Sequence, residues 1–513
     1  MVCAGRRTRL IKRLFFAALA LCTLAGAAPA PDHLRVGVNG LPVSLGNPFR
    51  GNGRPGSLVW SAIFDTLIVL NDQGQLTPSL ATSWTAVTPT LWRFQLRPGV
   101  RFANGRAFDA AAAARTFTWL ASEAGRSTVI GNELRALKTA RATGPLTLEI
   151  ATSQPDPILP KRLVAAYMVE PDLWGRLGPD GFALKPIGTG PFRLTSWDQR
   201  RRRAELIANP QAWRAPHVRA MTILELPDSA VRTQALLSQD VDLAQVEIEE
   251  SDRLRARGYV VNSSPSMSVM SIALINQRKT KGPLQDIRVR RALNYAVDKQ
   301  ALADILLRGL GRPAGQPAPH ISTGYNPSIK PYEYNPARAR KLLAEAGYPK
   351  GFPLDIDIQI NAFPADALIY QAVAHDLRQI GVRPSLHIIT LADYLRKLAT
   401  NGWTGDAFAA SWNNAPYNDA TRAMESFSCR RAKPFFCDPA LAEALATTSA
   451  ITDDKAREAS MQKLSRDFHN AAPALFLLEQ FDLFAHHPRL KNVHVANRVP
   501  VFEDITSQTG KAP

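Results

Sequence analysis

A chain of 513 residues with 45% apolar, 21% charged and 8% aromatic content has enough material for a large core, and its length points to two or three domains. That balance excludes a disordered protein, and beyond residue 30 no run approaches the ~20 continuous apolar residues of a membrane-spanning helix. The net charge of +18 raises nucleic acid as a partner, but the positive charges are scattered and the leader described next directs the chain away from nucleic acid.

Arg6, Arg7, Arg9, Lys12 and Arg13 form a basic start, residues 14–24 an apolar stretch, and Ala25-Gly26-Ala27 a small-residue cleavage site. Residues 1–27 therefore read as a secretory signal peptide, and the mature protein is expected in the periplasm. Its net charge would fall from +18 to +13 with the loss of those five basic residues. Leu19-Ala20-Leu21-Cys22 is a poor lipid-attachment box because Leu21 is bulky, so anchoring through Cys22 is the lesser alternative. After cleavage the cysteines are Cys429 and Cys437. In an oxidising compartment this pair, eight apart, reads as a local disulfide. Two free thiols or half of a metal site is the competing reading, weakened because residues 428–438 contain no histidine.

In chain order, residues 34–38 read as a strand leading into a Gly/Asn/Pro-rich stretch at 47–56. Residues 58–70 read as a helix before the turn Asn71-Asp72-Gln73-Gly74, and 91–96 alternate as a half-buried strand. Asn104-Gly105 marks a turn, and Asp109 caps an Ala-rich helix running to about 121. Strands follow at 147–150 and 204–208, with the basic run Arg200 to Arg203 as a solvated hairpin tip. A helix runs from 285 through Val297. A second, 336–346, has Asn335 and Pro336 at its start and Gly347 at its end. Strand 354–360, helix 365–380 and strand 385–389 complete an α/β pattern.

Enzyme signatures are missing from the sequence: there is no GxSxG, HExxH, Walker A or GxGxxG motif. Gly188-Thr189-Gly190 reads as a tight turn whose glycines supply positive φ, and His486-His487 as a structural or surface pair. The expectation is a protein that is not an enzyme, with an exported hydrolase as the rival. No cofactor or metal is expected, since the nine histidines are scattered.

Four segments together resemble the bacterial extracellular solute-binding protein family 5, the oligopeptide, dipeptide and nickel receptors of ABC importers. They are Leu76-Thr77-Pro78-Ser79-Leu80-Ala81 with Trp84 and Trp92 to Gly105; Pro186-Ile187-Gly188-Thr189-Gly190-Pro191-Phe192 with Asn209-Pro210 and Trp213; Asp286 to Asp298; and Tyr334-Asn335-Pro336 to Pro349. Arg232, Leu236, Asp240 and Asp242 fit a weaker fifth pattern.

This resemblance implies an α/β, two-lobed periplasmic-binding-protein fold of the class II type with an extra third domain and the ligand in the interlobe cleft. Lobe I would comprise 31–68, 187–273 and 482–513, the extra domain 69–186, and lobe II 274–481. A peptide or peptide-like solute would be captured by hinge closure and delivered by a monomer to an inner-membrane ABC permease. A receptor for an opine or sugar conjugate or a metal chelate is the alternative.

The resemblance also places the pocket in two regions, one holding Asn52 and Arg54, the other Trp412, Asn413, Asn414, Tyr417 and Asp419. Trp412 serves as pocket wall or packed core, the two asparagines as ligands or turn formers, and Arg54 as a carboxylate partner or a solvated charge. Peptide-binding members carry an aspartate three residues after the tryptophan, as the partner of the ligand's ammonium. Here that position is Ala415, with Asp419 as a possible substitute. The 429–437 segment resembles a disulfide loop of the dipeptide-binding branch.

Overall fold

The computed structural model describes residues 33–51, 53–277, 282–360, 362–431 and 433–507. The predicted leader, Cys22 and Asn52 lie outside the described residues.

An eleven-stranded sheet runs through the molecule. One half orders Leu243–Gln245, His33–Val38, Ala220–Glu225, Arg203–Ala208 and Phe192–Asp198; the other orders Arg383–Ile388, Pro353–Ile358 and Ala407–Asn413. Two long strands, Val260–Leu274 and Ala474–His486, join the halves. Their antiparallel ladder pairs 260–265 with 481–486 and 269–273 with 474–479, and its register breaks between Pro265 and Val269. A bulge of this kind leaves residues unpaired and re-aims their side chains, and here it lies where the chain passes from one half to the other.

A separate four-stranded antiparallel sheet, Ala81–Thr88, Leu91–Leu96, Thr147–Thr152 and Leu137–Gly144, packs against helix Ala110–Ala121. As expected, Asp109 caps that helix by accepting from the Ala112 amide. Glu149 lies across the strands from Arg93 and Arg141, whose guanidiniums both donate to it. Apolar packing forms three clusters: one shared by this sheet and the first half, one spanning the central sheet and its helices, and one around Trp412.

Local signals located a minority of the remaining helices, and helices such as Pro171–Leu184, Pro439–Ala450 and Asp454–Ala471 were not read. Helix Ile287–Tyr295 is capped by Asp286, and helix Pro336–Glu345 by Asn335. Gly347 and Gly381 hold φ of +90° and +87° just beyond two helix ends, where a side chain would be strained. The strands Phe192–Asp198 and Arg203–Ala208 form the expected hairpin, with the basic run at its tip.

Two expectations are corrected. The helix read over 58–70 is a shorter helix, Gly56–Ile63, followed by strand Ile68–Leu70. Phe64 turns extended, and the Asp65 carboxylate is held by Thr189, Trp213 and Arg214. The β-branched pair Ile68-Val69 then joins a ladder with Leu76–Pro78 across the predicted turn. Gly188 and Gly190 do not have positive φ; a Cβ at Gly188 would lie 2.2 Å from the Ile63 carbonyl oxygen, and one at Gly190 2.6 Å from the Ile63 carbonyl carbon. They are glycines because two backbones meet there. The cysteines form the Cys429–Cys437 disulfide, which excludes the free-thiol reading. Closing so short a loop stabilises by about 2–3 kcal/mol in the chain-entropy model.

Candidate ligand cleft

A cavity of about 570 Å³ opens where the two long strands lose register. That volume falls within the roughly 300–1,000 Å³ of small-molecule sites. Asn39, Arg54, Arg232, Gln245 and Glu247 line it from one half of the sheet; Phe363 and Asp366 do so from the other. The long strands contribute Ser266, Gln480 and Asp482, and the C-terminal segment Arg498.

Asp482 organises one wall. Arg498 donates to it at 2.7 and 3.2 Å, and Arg54 donates to the same carboxylate. Burial alone would raise the Asp482 carboxyl, but the charges of Arg498 and Arg54 outweigh it and hold the group below its ordinary value. Two guanidiniums share one carboxylate, so this wall keeps a cationic excess.

Arg232 is buried and serves the scaffold, donating to the carbonyls of Gln245, Leu226 and Pro227. Its contact with Glu247 is long, at 3.4 Å. The Glu247 side chain is 41% exposed. Burial raises its carboxyl above the ordinary value, opposed by Arg232 and reinforced by the charge of Glu249. Two further atoms, Ser266 Oγ and Gln480 Nε2, are buried without a hydrogen-bond partner among the described residues. Leaving such a group unsatisfied costs about 1–3 kcal/mol.

Arg54 is the described residue of the predicted set that the structure brings to this cavity. The others form a second cluster. Trp412 is packed core, stacked on Phe427 at 3.6 Å between centroids and set edge-on to Phe468. Asn413 accepts from the Ala415 amide in a turn, and buried Asn414 donates to the Pro317 carbonyl. The Tyr417 hydroxyl donates to Glu133 at 2.8 Å and accepts from Arg162 at 3.3 Å. Asp419 is buried and bound bidentately by Arg457 at 2.8 and 3.0 Å, with Lys161 at 3.1 Å. Against the upward push of burial, Lys161 and Arg457 hold this carboxyl far below the ordinary range.

Residues 133, 161 and 162 belong to the segment read as the extra domain, and 417–422 to the segment read as lobe II. Arg422 donates to Glu133 at 2.9 Å, and Asn418 to the Gly74 carbonyl at 3.0 Å. This cluster ties the two segments together. Sequence reasoning missed Glu247, Ser266, Gln480, Asp482 and Arg498. Arg54 and Asp482 are 428 positions apart, and no local pattern announces such a pair.

The profile of the Bacterial extracellular solute-binding proteins, family 5 Middle, matches residues 75–434. The chain belongs to this family. As a family-5 solute-binding protein it is 26% identical over 471 residues to the glutathione-binding protein GsiB of Pectobacterium atrosepticum, with 88% of this chain and 89% of that one covered. It is 27% identical to the GsiB protein of Salmonella typhimurium over 430 residues, covering 80% and 82%. Two solved structures share its two-lobed fold. NikA from Brucella suis, in complex with Fe(III)-EDTA, superposes with a TM-score of 0.79 at 23% identity, over 93% of this chain and all of that one. DppA from Helicobacter pylori, in complex with the peptide STSA, gives 0.77 at 22% identity, over 93% and 98%.

Proposed function

We propose that this protein captures a peptide or peptide-like solute between its lobes in the periplasm and delivers it to an inner-membrane ABC permease. The observation that carries the reading is the polar cavity at the register break of the two strands that join the halves. A cavity there changes shape whenever the halves rotate, so a ligand that bridges them favours the closed form. Curated relatives that bind the tripeptide glutathione, and a neighbour in fold bound to the peptide STSA, support a peptide-sized ligand.

In this reading lobe I is 31–68, 187–273 and 482–513, lobe II is 274–481, and 69–186 rides with lobe I. Arg54 contacts the ligand, while Tyr417 and Asp419 act in closure. The protein works as a monomer and is not an enzyme.

Native mass spectrometry of the purified protein, followed by denaturing release of its cargo, tests the proposal. Released short peptides or peptide conjugates support it. A single non-peptide species, or cleavage of added peptides, overturns it.

A further inference from the structure

We infer that the cleft takes a small zwitterion, with the ligand's ammonium on the Glu247 carboxylate beside Asp366 and its carboxylate on the guanidiniums of Arg54 and Arg498. The inference rests on the peptide reading and names the groups that make it work without an acid at position 415.

The counter-charge must come from somewhere. Ala415 offers none, and both Asp419 oxygens are occupied by Arg457, with Lys161 on one of them. A buried ammonium without a partner is strongly disfavoured, so either free-amine ligands are rejected or another carboxylate serves. The cleft contains one suited to the task. Glu247 faces the cavity, half exposed, and among the described residues its one cation contact is the 3.4 Å approach of Arg232, whose other donors are taken by carbonyls. Asp366, in the first turn of helix Asp366–Gln379, and exposed Glu249 line the same cavity. Burial, joined by the like charges of Glu249 and Asp366 and opposed by Arg232 and Arg54, pushes the Glu247 carboxyl upward, a penalty that a bound ammonium would relieve.

The other pole is cationic. Arg54 and Arg498 divide one carboxylate, and burial lowers the Arg54 guanidinium, opposed by Asp482 and reinforced by Arg498, so an incoming carboxylate is favoured there. Glu247, Arg54 and Arg498 line the same cavity, so one small ligand can meet both poles. Ser266 Oγ and Gln480 Nε2, buried without a partner among the described residues on side chains that line this cavity, are an independent sign of a polar ligand site. The Gln480 amide is a donor and the Ser266 hydroxyl donates or accepts, so a peptide backbone can satisfy both.

Three libraries of di- to tetrapeptides test the inference: free, N-acetylated and C-amidated. Each is offered to ligand-stripped wild-type protein and to Glu247→Gln and Arg54→Met, with retained species read by native mass spectrometry and affinities by calorimetry. Wild type is expected to retain the free peptides. N-acetylation and Glu247→Gln should each weaken binding on the order of 30-fold, with no further loss when combined. Arg54→Met should act the same way on free peptides and not on C-amides. Equal affinity of wild type for free and N-acetylated peptides overturns the inference without relying on any variant's folding. Retention of free peptides with undiminished affinity by Glu247→Gln also overturns it and leaves the peptide reading standing. Failure of all three libraries overturns both.

Discussion

Asp419 shows what a single buried carboxylate does in this molecule. It accepts from Arg457, Lys161 and Thr421, and it also caps helix Ala420–Ser426. Replacing it with asparagine leaves buried Arg457 and half-buried Lys161 without this anion, a loss of about 3–5 kcal/mol. The pH dependence follows from the depressed carboxyl. Such a group stabilises fully above the unfolded-state pKa of about 3.9, and that stabilisation is lost as pH falls toward the folded value. The gap in urea midpoint between wild type and Asp419→Asn should thus stay constant from pH 7 to 5 and narrow below about pH 4. Lys299 has the opposite sign. It is buried, donates to the Asn294 carbonyl, and burial lowers its ammonium to about 7, against the neighbouring charges of Asp298 and Asp376. The unfolded chain holds that proton up to about 10.4, so the Lys299 contribution improves as pH rises from about 7 to 10. Lys299→Met should remove this rise, as urea denaturation across that range would show.

Among the elements, those fixed by neighbours in sequence were readable. Asp109 and Asn335 cap the helices they were expected to cap, Asp286 caps a helix that was read from its pattern, and Gly347 and Gly381 end theirs. Where a distant contact decides, the sequence misleads. Helix Gly56–Ile63 stops because the Asp65 carboxylate is drawn to Trp213 and Arg214, about 150 residues on. The cleft is harder still, since its charge balance rests on Arg54, Asp482 and Arg498, and its orphaned atoms arise from a register break in a tertiary ladder. The glycines at 188 and 190 were correctly singled out for the wrong reason, and the right one is testable. A methyl group at Gly188 would meet the Ile63 carbonyl at 2.2 Å, against backbone that has no rotamer to yield. Gly188→Ala should cost at least about 1–3 kcal/mol in thermal or urea unfolding, whereas a turn needing positive φ would have placed the strain in the glycine's own backbone.

At the scale of the whole molecule, the second cluster would act as a latch in the proposed closure. Lys161 reaches Asp419 and Thr323, Arg162 reaches Tyr417, and Arg422 reaches Glu133, each contact joining the 69–186 segment to the 274–481 segment. None of these residues lines the cleft that holds Glu247 and Arg54. Contacts made only when the lobes are closed add to closure without touching the ligand, and a ligand that requires the closed form then binds with its intrinsic affinity divided by the open-state tax. Loss of the latch should lower the closed fraction and weaken every ligand by one common factor. In Lys161→Met combined with Glu133→Gln, free and N-acetylated peptides should lose affinity equally, on the order of tenfold for each 1.4 kcal/mol of closure removed. The radius of gyration of the ligand-free protein in X-ray scattering should rise in parallel. Selective loss of one peptide class would mean that the latch residues contact ligand, and unchanged scattering with unchanged affinity would mean that they contribute nothing to closure.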